Sequence, residues 1–348
     1  MIATLVPARD CAPWIRESLE SLVGQSAPPD EILLYDDGSK DGTVEIAESL
    51  GIRGLRVLRG ETPGGISRAL NRMLDETSAR YIVRMDADDI AEPDRIARQL
   101  DALERRNLAV VGSWARRFGR SDTLHRFAEQ DEELKAGLVF ASPFCHPSVI
   151  VDRDRLRDPS RLRYDSAFDG AEDHDLWIRL RHEGRYGNIP SVLLNWRLHN
   201  DNAGSHPEKL ARQLEVQGRL RRNLLAEMGV GLTPSQEEAF TLRCASKTLS
   251  ADLQDSYLEA LEAIARGASE SLGAPRADLL ALLGTHWDLS CHFAVHEQGG
   301  IPLRWWRGRR RLGASAPPGT FLKLVLKSAL KTSKRVGAPA RRPEARKP

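Results

Sequence analysis

The chain has 348 residues, 51 Lys and Arg against 49 Asp and Glu, and four cysteines. That length suffices for one large domain or two smaller ones, with a core that needs no staples. A hydrophobic share of 41% beside 29% charged residues excludes wholesale disorder and collagen-like repeats, and no apolar run reaches the roughly 18 residues of a membrane span. The start, MIATLVPARD, lacks a basic segment followed by a long apolar one, so no secretory leader is expected. Cys11, Cys145, Cys244 and Cys291 form no CxxC pair. That argues against a zinc site or disulfide framework and for a reducing, cytoplasmic setting.

In chain order, Ile2–Val6 predicts a strand, Ala12–Val23 a helix and Glu31–Tyr35 a second strand stopped by Asp36-Asp37-Gly38-Ser39. Thr43–Leu50 predicts a helix and Leu55–Leu58 a strand; Gly64-Gly65 opens a helix through Met73 and Leu74. Arg80–Met85 predicts a strand ending in Asp86-Ala87-Asp88-Asp89, Pro93 suits the first turn of a helix running to Arg106, and Leu108–Gly112 predicts another strand. Strands alternating with helices predict an α/β fold, a mostly parallel Rossmann-like sheet covered on both faces. Beyond this the pattern loosens. A helix at Asp131–Leu138, a strand at Ser148–Val151, a helix at Ala171–His182 and a strand at Ser191–Leu198 are expected, then helices alone from 207 to 290.

Open parallel sheets bind ligands beyond the carboxyl ends of their strands, and both acidic clusters fall there. Asp86 and Asp88, two residues apart, point the same way, and paired carboxylates suit Mg²⁺ or Mn²⁺ bridged to a phosphate. The bland alternative is a solvated turn before the helix at Pro93. Asp36 and Asp37 could accept hydrogen bonds from a base or ribose, or merely form an Asx turn. Glu172, Asp173 and Asp175 open a helix, where the dipole favours acids in any case; one of them facing the cleft would serve as a general base. His199 follows a strand and could be a third ligand to a metal held by carboxylates, although a lone histidine there is more often structural. Spacing alone gives His146 no role.

The order of these motifs resembles the family 2 glycosyltransferases of the GT-A fold. It runs Pro7-Ala8-Arg9-Asp10, Asp36-Asp37-Gly38-Ser39, Gly64-Gly65 with Arg68 and Asn71, Asp86-Ala87-Asp88-Asp89, Glu172-Asp173 and Arg197-Leu198-His199. The resemblance covers residues 1–205. It implies an inverting transferase with a nucleotide-sugar donor, most readily a UDP-sugar, and a saccharide or lipid-linked saccharide acceptor. Pro7, Ala8, Arg9, Asp10, Asp36, Asp37, Arg68 and Asn71 would line the nucleotide pocket with Asp86. Asp88, His199 and Asp86 would hold Mn²⁺ or Mg²⁺, Asp173 beside Glu172 would be the base, and His146 would meet the acceptor. The first motif departs from the more usual aromatic-Asn form.

The remainder divides into a helical region, 206–300, and a tail, 301–348, expected to be a basic amphipathic or partly disordered segment. The tail holds 14 Lys and Arg and one acid, a net +13, whereas residues 1–300 carry 37 basic and 48 acidic side chains, a net −11. Within the tail, apolar residues from Phe321 to Leu330 interleave with Lys323, Lys327, Lys331 and Lys334, and Trp305-Trp306 lies just upstream of that run, a pattern that suggests peripheral attachment to an anionic membrane on its inner face. Three other readings compete: a sugar-phosphate nucleotidyltransferase, a non-catalytic nucleotide-sugar binder and a nucleic-acid binder. The first lacks a Gly-rich loop after the first strand. All the acidic and imidazole elements being present argues against the second. The acidic body and missing binding motif argue against specific nucleic-acid recognition.

Overall fold

The computed structural model describes residues 1–60, 63–199, 207–245, 248–294, 301–314 and 324. The chain divides into two compact units, 1–228 with 268–275, and 229–267 with 276–348. The predicted amphipathic stretch around residues 321–334 lies outside the described residues, apart from Leu324.

The first unit is a nine-stranded sheet in the order β3-β2-β1-β4-β8-β6-β9-β5, with β7 paired to β6. Strands β1 (Ile2–Ala8), β2 (Glu31–Asp36), β3 (Leu55–Arg59), β4 (Tyr81–Arg84), β6 (Val110–Gly119) and β9 (Tyr186–Leu198) share one direction. β5 (Ile90–Ala91), β7 (Thr123–His125) and β8 (Ile150–Asp152) run against it. The mostly parallel sheet therefore holds, with antiparallel strands woven into its second half.

Alternation along β1 sorts the helices. Val6 and Ala8 pack in one cluster with Ile15, Leu19 and Leu22 of α1 (Ile15–Val23) and Ala47 of α2 (Thr43–Ser49). Val83 and Val111 meet Ile96 and Leu103 of α4 (Arg95–Arg105). Leu5 instead lines a small cavity with Leu74 of α3 (Ile66–Asp75) and Trp177 of α6 (Glu172–Leu180). A further helix, α5 (Asp131–Gly137), precedes β8, and α7 (Pro207–Glu227) follows β9.

Two boundaries differ from expectation for one reason. β6 and β9 pair along their whole length, but the register shifts around Trp114, where Ile189 and Val192 flank the unpaired Pro190 and Ser191. A bulge accommodates a proline that cannot join a ladder, so a strand expected from Ser191 begins at Tyr186. The sheet also ends the β1–β4 ladder at Leu5 and Arg84. Pro7, which has no N–H to give, lies just beyond, where the strands part.

The second unit is helical: α8 (Pro234–Cys244), α9 (Ala251–Arg266), α10 (Arg276–Ala294) and α11 (Ile301–Leu312). Its core includes Phe240, Tyr257, Leu261, Leu283, Trp287 and Trp305. Trp287 donates to the Trp305 carbonyl at 3.1 Å, and both nitrogens of the buried Arg309 fork grip Asp288. A Cβ at Gly308 would stand 2.3 Å from the Trp287 ring nitrogen, so only glycine lets α11 approach α10 so closely. Residues 301–312 are thus a packed helix of this unit. Among the described residues, no helix is long and apolar enough to cross a membrane.

Candidate active site

The site is assembled at the carboxyl ends of β1, β2, β4 and β9. After β1 the chain turns at Asp10, whose φ of 52° is one of two positive values outside glycine among the described residues. Its N–H donates to Ser39 Oγ at 2.9 Å, and its Oδ1 accepts the Lys40 N–H at 2.8 Å. Asp41 accepts N–H groups from Ala12 and Thr43, each at 3.0 Å. The loops after β1 and β2 are therefore tied together, with Arg9 and Asp10 exposed at the surface.

Asp36 and Asp37 are both buried. Asp36 Oδ1 accepts the Ser39 N–H at 3.1 Å. The two oxygens of Asp37 accept N–H groups of Gly64 at 2.7 Å and Gly65 at 3.1 Å, which fixes the loop that opens α3. Arg68 is exposed and folds back over Gly64, where a Cβ would collide with its Cδ at 2.3 Å. Asn71 is held by the Tyr164 main chain. Its amide donates to the Tyr164 carbonyl at 2.8 Å and accepts the Tyr164 N–H at 2.9 Å, so both ends are engaged by main chain.

Asp86, Asp88 and Asp89 form the acidic centre, each offering one carboxylate oxygen within 4.8 Å of the others. Arg84 Nη1 donates to Asp86. His199 Nε2 meets Asp88 Oδ2 at 2.8 Å, and its ring stacks on Trp14 at 4.0 Å. Arg197 closes the centre from β9: its N–H donates to Asp89 Oδ1 and its Nε to the Asp88 carbonyl, each at 2.8 Å. Burial, then the Asp86 charge, raises the Asp88 carboxyl, against the pull of His199. Burial and both neighbouring acids push Asp89 well above the usual carboxylate range.

A second acidic station lies at the N-terminus of α6. Asp173 is partly exposed and accepts Ser142 Oγ–H at 2.6 Å. Glu172 is buried, and its Oε2 accepts the Gly170 N–H at 2.8 Å. Burial, then the Asp173 charge, pushes Glu172 up to about 7. His146 Nδ1 lies 3.9 Å from Glu172 Oε1 and Nε2 lies 2.9 Å from Tyr164 Oη. Burial, then Arg84, holds His146 well below its ordinary value, so it faces Glu172 as a neutral ring. A chain of contacts thus runs from Asn71 through Tyr164 and His146 to Glu172.

Residues 4–148 match the Glycosyl transferase family 2 domain. Residues 4–148 are thus a domain of that family. The chain is 26% identical over 210 residues to the O-antigen biosynthesis glycosyltransferase WbnJ of Escherichia coli, covering 58% of this chain and 80% of that one. It is 26% identical over 193 residues to the amylovoran biosynthesis glycosyltransferase AmsE of Erwinia amylovora, covering 54% and 71%. Its fold is shared with the S. aureus TarS 1–349 structure in complex with UDP-GlcNAc, at a TM-score of 0.55 and 15% identity, over 98% of this chain and 93% of that one.

The acidic centre of this glycosyltransferase fits a divalent cation. Its donors are hard carboxylate oxygens. Asp89 Oδ2 is fully buried with no hydrogen-bond partner among the described residues, an arrangement that costs free energy unless charge is supplied to it. The structure also adds residues that the motifs did not name: Arg84 behind Asp86, Arg197 beside Asp88, Trp14 under His199, Ser142 on Asp173 and Tyr164 on His146. Only Arg84 had a readable signal, since it shares the strand face of Asp86 and Asp88 by its spacing.

Proposed function

We propose that this glycosyltransferase is an inverting enzyme that moves a sugar from a nucleotide diphosphate to a saccharide or lipid-linked saccharide, in polysaccharide or glycoconjugate synthesis. The observation that carries the reading is the pair of acidic stations. One is a carboxylate trio with an imidazole, suited to a metal and diphosphate. The other is a partly exposed carboxylate at a helix N-terminus, suited to a base. The named activities of WbnJ and AmsE support the polysaccharide setting. TarS, whose fold is shared, makes a UDP-sugar the first donor to try.

In this reading the loops at Pro7–Asp10 and Asp36–Asp37 hold the nucleoside, with Arg68 beside them. Asp86, Asp88 and His199 would hold Mn²⁺ or Mg²⁺, which when bound neutralises charge on a departing diphosphate. Arg84 keeps Asp86 aimed at that place. Asp173, oriented by Ser142, takes the proton from the acceptor hydroxyl. The hydroxyl oxygen bonds to the anomeric carbon as the carbon–phosphate oxygen bond breaks, and the diphosphate leaves with the electron pair. A single displacement inverts the centre and uses no protein nucleophile. His146 and Tyr164 shape the wall behind Glu172 on the acceptor side.

Replacing Asp173 by Asn removes the base and keeps the Ser142 contact. Sugar transfer is expected to fall by at least about 100-fold with donor affinity unchanged in calorimetry. Unimpaired transfer by a folded, donor-binding D173N protein would end this assignment.

A further inference from the structure

Helix α11 is amphipathic in an unusual sense: one face builds a core and the other is both apolar and cationic. Ile301, Trp305, Gly308, Arg309 and Leu312 are buried. At 100° per residue, Leu303, Trp306, Arg307 and Arg310 gather on the opposite face, and all four are exposed. Leu303 keeps 51% and Trp306 44% of its surface in water, large values for such side chains on a packed helix. Arg310 stands over the Trp306 ring at 4.9 Å. Arg304 and Arg311 are tied to Asp255 and Glu262 of α9, so the outward charge at the centre of the face comes from Arg307 and Arg310.

We propose that this face of α11 is a docking surface for an anionic lipid bilayer. An indole and a leucine flanked by guanidinium groups match the boundary between headgroups and acyl chains, where one end of each side chain is apolar and the other meets phosphate. Charge complementarity selects the occupant: Glu262 and Asp255 already satisfy the flanking arginines, while the two central ones face outward without an acid of α11 beside them. The sequence adds more positive charge after the helix, up to the net +13 of residues 301–348. The surface is distinct from the transferase site, and vesicle binding requires neither donor nor acceptor, so it stands or falls apart from the proposed reaction.

Deleting residues 301–348 is a poor test, because it removes Trp305 and Arg309 from a folded core. Point variants of the full chain avoid this. Flotation with phosphatidylglycerol/phosphatidylethanolamine vesicles is expected to carry the wild-type chain, and phosphatidylcholine vesicles to leave it behind. The L303S/W306S and R307E/R310E variants should each lower partition by at least about tenfold, with melting temperatures within about 2 °C of wild type. Retained flotation by either folded variant would overturn the proposal. So would wild-type chain that ignores anionic vesicles, including the case where it binds a mixed-sequence RNA in a manner that R307E/R310E abolishes.

Discussion

Arg84 stands between the two acidic stations. Its guanidinium grips Asp86, and its charge reaches Asp89, His146, Tyr164 and Glu172. Substitution by Met leaves the acids without their internal cation, and breaking such a buried pair costs about 3 kcal/mol. R84M is therefore expected to lose about that much stability in urea. Metal-dependent nucleotide binding should weaken by at least about tenfold, with R84K between it and wild type. Glu172 gives a pH signature. Its folded-state value near 7 lies above the ordinary 4.5, so the folded protein holds the proton longer than the unfolded one. That contribution is present below the ordinary value and is lost as pH rises through the folded one. Between pH 5 and 8, wild-type stability should fall relative to E172Q, measured as the difference in urea midpoint; a difference independent of pH would contradict the raised value. The sequence showed the acids themselves, because carboxylates beside turn residues stand out. It hid Ser142 and Tyr164, whose roles depend on which distant backbone comes near, whereas Arg84 was readable by its spacing to Asp86. It likewise could not separate Trp305, which is core, from Trp306, which is exposed.

At the scale of elements, the start of α3 shows how the loop proposed to meet the nucleotide is held. Gly65 has a φ of 83°, and a Cβ there would meet Asp169 Oδ2 at 2.7 Å. Its N–H is also one of the two that Asp37 accepts. With ψ at 171°, a G65A substitution forces alanine into a positive-φ, extended conformation that costs about 1–3 kcal/mol and crowds Asp169. The expected result is a urea midpoint lowered to match and weaker nucleotide binding through a displaced Asp37; unchanged stability would mean that the loop is not held as described. The first half of the sheet was legible because each strand there is a short apolar run closed by Asp or Gly. The second half was not. β5 and β7 are two and three residues long, too short for a periodic signal. β6 continues through Arg116 and Arg117, which pair across strands and so look like loop in the sequence alone.

For the whole molecule, family and fold were readable from motif order, since six weak signals in one sequence constrain each other. The division into two units was not, because the crossing at residues 268–275 returns to the first unit from the middle of helices and depends on tertiary packing alone. The acidic residues 1–300 span both units, and the basic C-terminal segment begins with α11 of the helical unit, which carries outward arginines. The central claim concerns the first: its acidic centre binds a nucleotide diphosphate together with a metal. The direct measurement is calorimetric titration of the full chain with UDP, GDP, dTDP and CDP, each with Mn²⁺, Mg²⁺ or EDTA, repeated on D88N. One nucleotide is expected to bind with metal, to lose that binding in EDTA, and to bind D88N at least about tenfold more weakly. Binding that ignores both EDTA and D88N, or no binding by any of the four, would contradict it.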